Sequence, residues 1–232
     1  MKTWVAAIAI LASTSAVAAE RKFSIYGFDE VQVIGAVDVV IATGKGSSAK
    51  AEAQSLAALE RVSLRNNGKR LIISLKSLSA GSGPRRREDP VKIYLSTDRI
   101  TTVRQSGSGN LTIDQMSARA LKIYQTGFGS VSVGSMTADS LTVAMDGAGQ
   151  VDIIGKVADA TIQTTGSGTL EASGLSAQRA KLTQRGPASV KLSVRDRIDI
   201  DNVGNGEIII AGKPNCLVRS SGSAQILCNP GS

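Results

Sequence analysis

The sequence contains no histidine, and this absence removes whole classes of active site. Neither a Ser-His-Asp triad nor a Cys-His nucleophile can be assembled without an imidazole. Aromatic residues make up only 3% of the chain, which disfavours a sandwich or barrel packed around large rings. Sugar-binding sites commonly use flat aromatic platforms, and few are available here. The one tryptophan, Trp4, lies in an N-terminal segment that we expect to be removed.

Residues 1–19 have the layout of a secretory signal peptide. The stretch MKTWVAAIAILASTSAVAA places Lys2 before an apolar run and ends in small residues. The run is shorter than the ~20 residues that a membrane-spanning helix needs. We therefore expect an exported protein in the periplasm, at the cell surface or outside the cell. Its mature form should begin at Ala19 or Glu20, with no transmembrane span after cleavage.

The charge balance is moderately basic. The formal net charge is +8, and it falls to +7 once Lys2 is removed. The densest positive run is Arg85-Arg86-Arg87. This run is either a solvated loop or a contact for an anionic surface or an envelope polysaccharide. Because export is expected, nucleic acid is not a predicted partner.

Glycine is abundant, with 24 residues, and it recurs in pairs. The motif SGSG at 106–109 returns as TGFG, DGAG, TGSG, RGPA, VGNG and SGSA at intervals of 18 to 20 residues. No copy has the third glycine and helix of a dinucleotide-binding turn, or the Gly-Lys-Ser/Thr of a phosphate loop. The copies also lack the carboxylates of calcium-binding β-rolls. We predict no cofactor and no metal, and interpret the glycines as rung turns: Gly107, Gly127, Gly147, Gly166, Gly186, Gly204 and Gly222.

The residues around these seven glycines repeat in the same register. The positions four residues before and four residues after each glycine are apolar in all fourteen cases. Apolar and other residues alternate on both sides, so each repeat supplies two short strands with one face directed inward. The glycine forms the bend between the strands, and a second turn closes the coil. Strands that recur once per coil stack in parallel.

We therefore predict an all-β protein, a right-handed parallel β-helix or solenoid with rungs of about 18–20 residues. The predicted organisation is a signal peptide at 1–19, an N-terminal β segment at 20–99 and the solenoid array at 100–232. The N-terminal segment includes a hairpin turn at Asn66-Asn67-Gly68-Lys69 and a flexible basic loop near 77–89. We expect this segment to cap the stack, because a solenoid end exposes an open strand edge.

One inward column, two residues before each glycine, is mostly polar and contains several amides. We predict that these amides hydrogen-bond from rung to rung, as in cross-β ladders. A ligand-lined groove is the alternative. The column consists of Gln105, Gln125, Met145, Thr164, Gln184, Asn202 and Ser220.

The only cysteines, Cys216 and Cys228, lie six residues before and six residues after Gly222. Both positions are inward in the earlier rungs, so the two thiols should share one core layer. An exported protein meets oxidising conditions, and we therefore predict a disulfide that pins the last rung. Two buried free thiols are the alternative.

One pair of carboxylates raises the question of catalysis. Asp152 and Glu171 occupy the same outward position on adjacent rungs. They could form the acid/base pair of a polysaccharide-acting enzyme. Lys191 on the next rung offers the alternative of an exposed charge ladder. Because no further acidic column supports the pair, we predict no catalytic residues and no enzyme.

The glycine-pair units, together with FDEVQVIGAVDVVIATG at 28–44, resemble the bacterial family described as "putative autotransporter adhesin, head GIN domain". The resemblance covers about residues 23–226. It implies an exported β-helical protein of the cell envelope and carries over no catalytic or ligand residues. Three functions follow as hypotheses: a binding or adhesion module, a structural envelope protein that associates with itself, or a polysaccharide-acting enzyme.

Overall fold

The computed structural model describes residues 19–76 and 89–229, and most of them are in β-strands. The strands of the described residues are β1 (Ala19–Phe23), β2 (Glu30–Ile34), β3 (Asp38–Ala42), β4 (Ser48–Ala53), β5 (Val62–Asn67), β6 (Arg70–Leu75), β7 (Val91–Ser96), β8 (Thr102–Gly107), β9 (Asn110–Ser117), β10 (Ala120–Gly127), β11 (Ser130–Gly147), β12 (Gln150–Gly166), β13 (Thr169–Arg185), β14 (Ser189–Val203), β15 (Glu207–Gly212), β16 (Asn215–Ser221) and β17 (Gln225–Cys228). One short helix, α1, spans Leu56–Glu60.

The strands stack in parallel as the repeat predicts. Gly127 pairs with Gly107 on one side and with Gly147 on the other, so equivalent residues of successive rungs are neighbours. Twelve of the fourteen inward positions beside the glycines are buried, and the two exceptions, Val218 and Ile226, lie in the last rung. Each buried Val, Ile or Leu contributes about 1.5–3 kcal/mol. The predicted β-solenoid is confirmed.

In β11, β12, β13 and β14 the second corner of the coil is a bend inside a strand, where a separate turn was predicted, whereas short connections separate β9 from β10 and β15 from β16. Strand β11 runs for 18 residues without interruption. The pairing register with β12 shifts between Val133 and Met136, and a similar shift follows Asp152 in the next layer. Such β-bulges bend a strand while pairing continues on both sides. The coil therefore closes with few unpaired backbone groups.

The stack also includes strands that precede residue 100. Strands β2 and β3 pair in parallel with β8 and β9, so 30–42 forms a rung in which Gly35 takes the bend position. Strands β6 and β7 add one more parallel layer outside this rung. Along the chain, β2 and β3 form the inner rung first, and β6 and β7 then form the outer rung. Strand β8 follows on the other side of the inner rung, where it pairs with β2.

Antiparallel strands close this end of the stack. Strand β5 pairs with β6 through the predicted hairpin, and β4 pairs with β7 and with β1. Helix α1 begins after Ser55, whose hydroxyl accepts the Ala58 N–H at 3.2 Å, as expected of an N-cap. The helix buries Ala58 and Leu59 against the core. The outermost strand, β1, carries Glu20, Arg21 and Lys22, and such charges discourage pairing with further strands.

The predicted amide ladder is wrong for the three glutamines. The Nε2 groups of Gln105, Gln125 and Gln184 each donate to a backbone carbonyl four residues later in the same rung, for example Gln125 to the Gly129 carbonyl at 3.1 Å. Only Asn202 donates to the next rung, where it reaches Ser220 Oγ at 2.9 Å. Each glutamine side chain thus bridges the bend of its own rung.

This bridging contributes to the requirement for a second glycine at Gly129, Gly149 and Gly206. A Cβ at Gly149 would overlap Nε2 of Gln125 on the preceding rung and would lie 2.5 Å from the Gly129 carbonyl oxygen. The same relation holds between Gln105 and Gly129. Where the preceding rung has the shorter Thr164, the sequence has Ala188 in place of the second glycine. Side-chain length on one rung therefore sets which residue the next rung accepts.

Candidate functional site

The seven rung-turn glycines lie at equivalent bends in the structure. Their φ angles run from +100° to +159°, a region that favours glycine. A Cβ at Gly147 would lie 2.7 Å from the carbonyl oxygen of Gly127 below it. Close stacking of backbones accounts for these glycines, and the same carbonyl accepts the Ala148 N–H at 3.0 Å.

Arg85, Arg86 and Arg87 lie outside the described residues. Their contact with an anionic partner therefore stays a prediction.

The two cysteines are joined in a disulfide between β16 and β17. Their Cα atoms are 6.7 Å apart, within the usual range for such bonds. The bond closes a loop with a sequence separation of 12 residues, which corresponds to about 3 kcal/mol in the chain-entropy model. It fixes the two strands of the last rung to each other.

The sheet face formed by residues that follow each glycine is mostly polar and slightly acidic, because Asp152, Glu171 and Glu207 outnumber Lys191. Here Gln150 Nε2 donates to both carboxylate oxygens of Asp152, at 3.1 and 3.0 Å. Glu171 accepts from the Ser173 hydroxyl and lies 3.5 Å from Lys191 Nζ. The hydrogen bond from the Ser173 hydroxyl contributes most to holding the pKa of the Glu171 carboxyl below its ordinary value. The Ser173 backbone N–H and Lys191 lower this pKa further. A general acid at neutral pH needs a raised pKa, so the contacts of Glu171 do not favour that role for it, and the absence of catalytic residues stays a prediction.

The opposite face, formed by residues that precede each glycine, has a different charge pattern. We call it the cationic face and define it by the outward columns five and three residues before Gly107, Gly127, Gly147, Gly166 and Gly186. Its ten positions include three basic residues and no acidic one. They are Thr102, Arg104, Lys122, Tyr124, Thr142, Ala144, Thr161, Gln163, Lys181 and Thr183.

The three cations of this face form no ion pair with any residue that the structure describes. Lys122 and Lys181 are exposed. The Arg104 guanidinium lies 4.1 Å from the centroid of the Tyr124 ring, in a cation–π contact that leaves its charge uncompensated. Strand pairing places Arg104 beside Tyr124 on adjacent rungs, with Lys122 in the same strand as the ring. The face thus presents three positive charges among threonine hydroxyls and one side-chain amide.

Ion pairs mark the two borders of the cationic face. At the N-terminal side, Arg70 Nη2 binds Glu30 Oε2 at 2.9 Å. At the C-terminal side, Arg197 Nη2 binds Asp199 Oδ1 at 2.9 Å. Near the second corner, Arg179 forms two hydrogen bonds with Asp159, at 2.7 and 2.9 Å, and lowers the pKa of that carboxyl. Carboxylates therefore neighbour the face at both borders, since Glu30 pairs with Thr102 and Asp199 pairs with Lys181 on adjacent strands.

The sequence prediction looked for positive charge in the arginine run and missed this face. The signal was nevertheless present in the repeat. The outward columns before the glycines could have been read with the same spacing that identified the inward ones, because strand side chains alternate between two faces.

Metal sites and membrane-spanning helices are two further features that could indicate a function. No group of His, Cys, Asp and Glu suited to a metal ion occurs in 19–76 or 89–229. No helix in these ranges is long and apolar enough to cross a membrane.

Comparisons with known proteins identify the family. A family model described as "Putative auto-transporter adhesin, head GIN domain" matches residues 27–214. No curated protein sequence matches the chain. A "putative adhesin" from Bacteroides fragilis superposes with a TM-score of 0.78 at 19% identity, covering 91% of this chain and 97% of that one. A "Putative lipid binding protein" from Parabacteroides distasonis gives 0.71 at 21% identity, covering 90% and 95%.

A third structure, a "putative adhesin" from Parabacteroides merdae, has a TM-score of 0.68 at 16% identity and covers 90% of this chain and 95% of that one. At such identities the structural likeness concerns the fold alone. The family model spans most of the solenoid, from Gly27 before the first rung to Pro214 before the last. The chain therefore belongs to the family described as putative auto-transporter adhesin, head GIN domain.

Proposed function

We propose that this protein is an exported, non-enzymatic binding module of the cell envelope, and that its cationic face binds an acidic polysaccharide. The observation that carries this proposal is the set of three cations, Arg104, Lys122 and Lys181, that have no carboxylate partner among the described residues. Desolvated or unpaired positive charge on a rigid face attracts polyanions over several ångströms. The family membership supports a role in adhesion.

The geometry of the face suits a long linear ligand that runs along the solenoid axis. Successive rungs are about 4.8 Å apart, so Lys122 and Lys181 are separated by about 14 Å along the axis. Thr142, Thr161 and Gln163 lie between them and offer hydroxyl and amide groups to sugar hydroxyls. Charged groups that recur along a polymer can therefore contact the two lysines together.

An anionic membrane is the competing partner, and the face is less suited to it. Proteins that lie on membranes combine basic residues with large exposed apolar side chains that enter the lipid. In the cationic face the large exposed side chains are lysines and a glutamine, and Tyr124 is half-buried beneath Arg104. The polysaccharide therefore fits better than a lipid surface.

Export is tested by the mature N-terminus. The signal-peptide layout of residues 1–19 predicts that protein recovered from the periplasm or medium begins at Ala19 or Glu20 and contains no tryptophan. N-terminal sequencing of the secreted fraction checks this. Exported protein that still carries Met1 would contradict the proposal.

Ligand binding is tested with alginate, a polyuronate, and with neutral dextran as the reference polymer. We expect alginate binding that weakens steeply between 50 and 500 mM salt, because exposed charges are screened. Each basic side chain contributes about 1 kcal/mol to attraction by an anionic surface. Because glutamate reverses each charge, the variant Lys122→Glu/Lys181→Glu should bind at least roughly thirtyfold more weakly, as measured by biolayer interferometry.

The matched control is Lys45→Glu/Lys156→Glu, which makes the same charge change away from the cationic face. It should bind within about twofold of the wild type. Equal loss in both variants would show that only net charge matters and would overturn the assignment to this face. A triple Arg85→Ser/Arg86→Ser/Arg87→Ser variant tests the arginine run separately. Binding to anionic lipid vesicles but not to alginate would favour the membrane instead.

A further inference from the structure

The last rung of the stack leaves a layer of the core uncovered. Strands β16 and β17 pair with β14 and β15 on one side, and no strand within 19–76 or 89–229 pairs with their other edges. Val218 is 41% exposed, whereas Ile200 directly beneath it in the same inward column is 1% exposed. Cys216, Ile226 and Cys228 of this layer are only partly buried. We call these two strands the open end.

Exposed apolar side chains surround this layer. Leu217 is 45% exposed, Leu227 is 38% exposed, and Val203 of the preceding rung is 51% exposed. Among the eleven residues of β16 and β17, only Arg219 carries a charge. Proteins usually protect an exposed strand edge with charges, proline or a covering element. Within β16 and β17 only Arg219 gives such protection, and no element of 19–76 or 89–229 pairs over their free edges, whereas the N-terminal end has charged β1 and helix α1.

We propose that the open end is an interface between two copies of this chain, joined end to end about a two-fold axis. The open end is one layer of a periodic stack. Its inward columns are therefore best continued by a second layer with the same spacing of inward side chains. The opposite end of the molecule does not offer one, because antiparallel β1, β4 and β5 cover it. A symmetric pairing of identical ends also closes the assembly at two copies.

The sequence of β16 is compatible with antiparallel pairing to itself. If the two-fold axis passes beside Val218, this residue faces its own copy on the inward side, and the two core layers merge. On the outward side, Leu217 then faces Arg219 of the second copy, so no like charges oppose each other. The disulfide holds β16 and β17 in a fixed register, and this pre-organises the edge for association.

The interface is small. A single coil end buries less than the ~800 Å² per partner of a standard stable interface. Backbone hydrogen bonds along the open edges add to the apolar contact, as in other cases of strand addition. We therefore expect a reversible dimer with a dissociation constant of about 1–100 μM.

The test is sedimentation velocity on the mature, oxidised protein from about 1 to 300 μM. The wild type should shift from monomer to dimer and grow no further. Val218→Lys should remain monomeric to at least tenfold higher concentration, because two lysines would then meet on the axis. The matched control, Tyr26→Lys, changes an 80% exposed residue toward the capped end and should dimerise like the wild type.

Leu227→Lys provides a second variant, at an outward and 38% exposed position of the open end, in case Val218→Lys disturbs the last rung. Thermal melts followed by circular dichroism check folding of each. A wild type that stays monomeric throughout the range would overturn the proposal. So would growth beyond the dimer, which indicates head-to-tail stacking, or a dimer that the Tyr26→Lys change abolishes and the open-end changes spare.

Discussion

Val151→Asp is expected to lower the free energy of unfolding by about 4 kcal/mol or more. Val151 is 0% exposed and stacks between Val131 and Leu170 in an inward column. The change removes about 1.5–3 kcal/mol of apolar burial. It also places a carboxyl group in a core where no cation neighbours it, and such unpaired burial is strongly unfavourable. Urea melts that compare the transition midpoints measure the effect.

The neighbouring change, Asp152→Val, is the control. Asp152 lies on the polar sheet face, and among the described residues its side chain hydrogen-bonds to the Gln150 side chain on the same strand. Surface substitutions of this kind usually alter stability by no more than about 0.5 kcal/mol. Equal destabilisation by the two changes would show that the rung register is shifted by one residue, because such a slip exchanges the two faces.

Gly149→Ala is expected to destabilise the solenoid by about 1–3 kcal/mol, the usual cost of overpacking a filled site. The new methyl group would overlap the Gln125 side-chain amide and press on the Gly129 carbonyl oxygen. Gln125 would then have to give up its hydrogen bond across the bend. Thermal or urea denaturation of the purified variant measures the loss.

Gln125→Thr supplies the second arm, because it recreates the combination that Thr164 and Ala188 already form two rungs further along. We expect the double variant to be at least about 1 kcal/mol more stable than the sum of the two single effects predicts. Gly46→Ala is the matched control, since a Cβ there meets no atom within 4 Å. Simple additivity of Gly149→Ala and Gln125→Thr would contradict the coupling between rungs.

The periodic part of the fold could be predicted from sequence because each rung repeats the same local pattern. The period-2 alternation fixes which side chains point inward, and Gly107 and its equivalents mark the bends. The disulfide partners also followed from this register. In a stacked architecture each layer contacts mainly its neighbours, so local patterns carry most of the information.

The N-terminal part could not be derived in this way. The order of rungs in space differs from their order in sequence there, since β6 and β7 lie outside β2 and β3. Pairings across 40 or more residues depend on tertiary fit, and local alternation does not encode them. The hydrogen bond of Gln125 is a similar case. Its side-chain amide donates to the Gly129 carbonyl of the same rung, where a bond to the amide of the next rung was predicted, and the sequence pattern does not distinguish the two.

The two proposed interfaces use different parts of the molecule. The cationic face lies along the side of the stack, and the open end lies at its tip. End-to-end pairing would place two cationic faces on one rod and double the number of contacts with a long polymer. Dimerisation would then raise the apparent affinity through effective concentration, without any new contact.

Lysine footprinting on alginate is the most direct test of the central claim that the cationic face is the binding surface. Mature protein is acetylated with and without alginate, and the modification of each lysine is measured by mass spectrometry of its peptides. We expect protection of Lys122 and Lys181, with the modification of Lys45, Lys156 and Lys191 unchanged. Uniform protection of all lysines, or protection confined to lysines outside the cationic face, would contradict it.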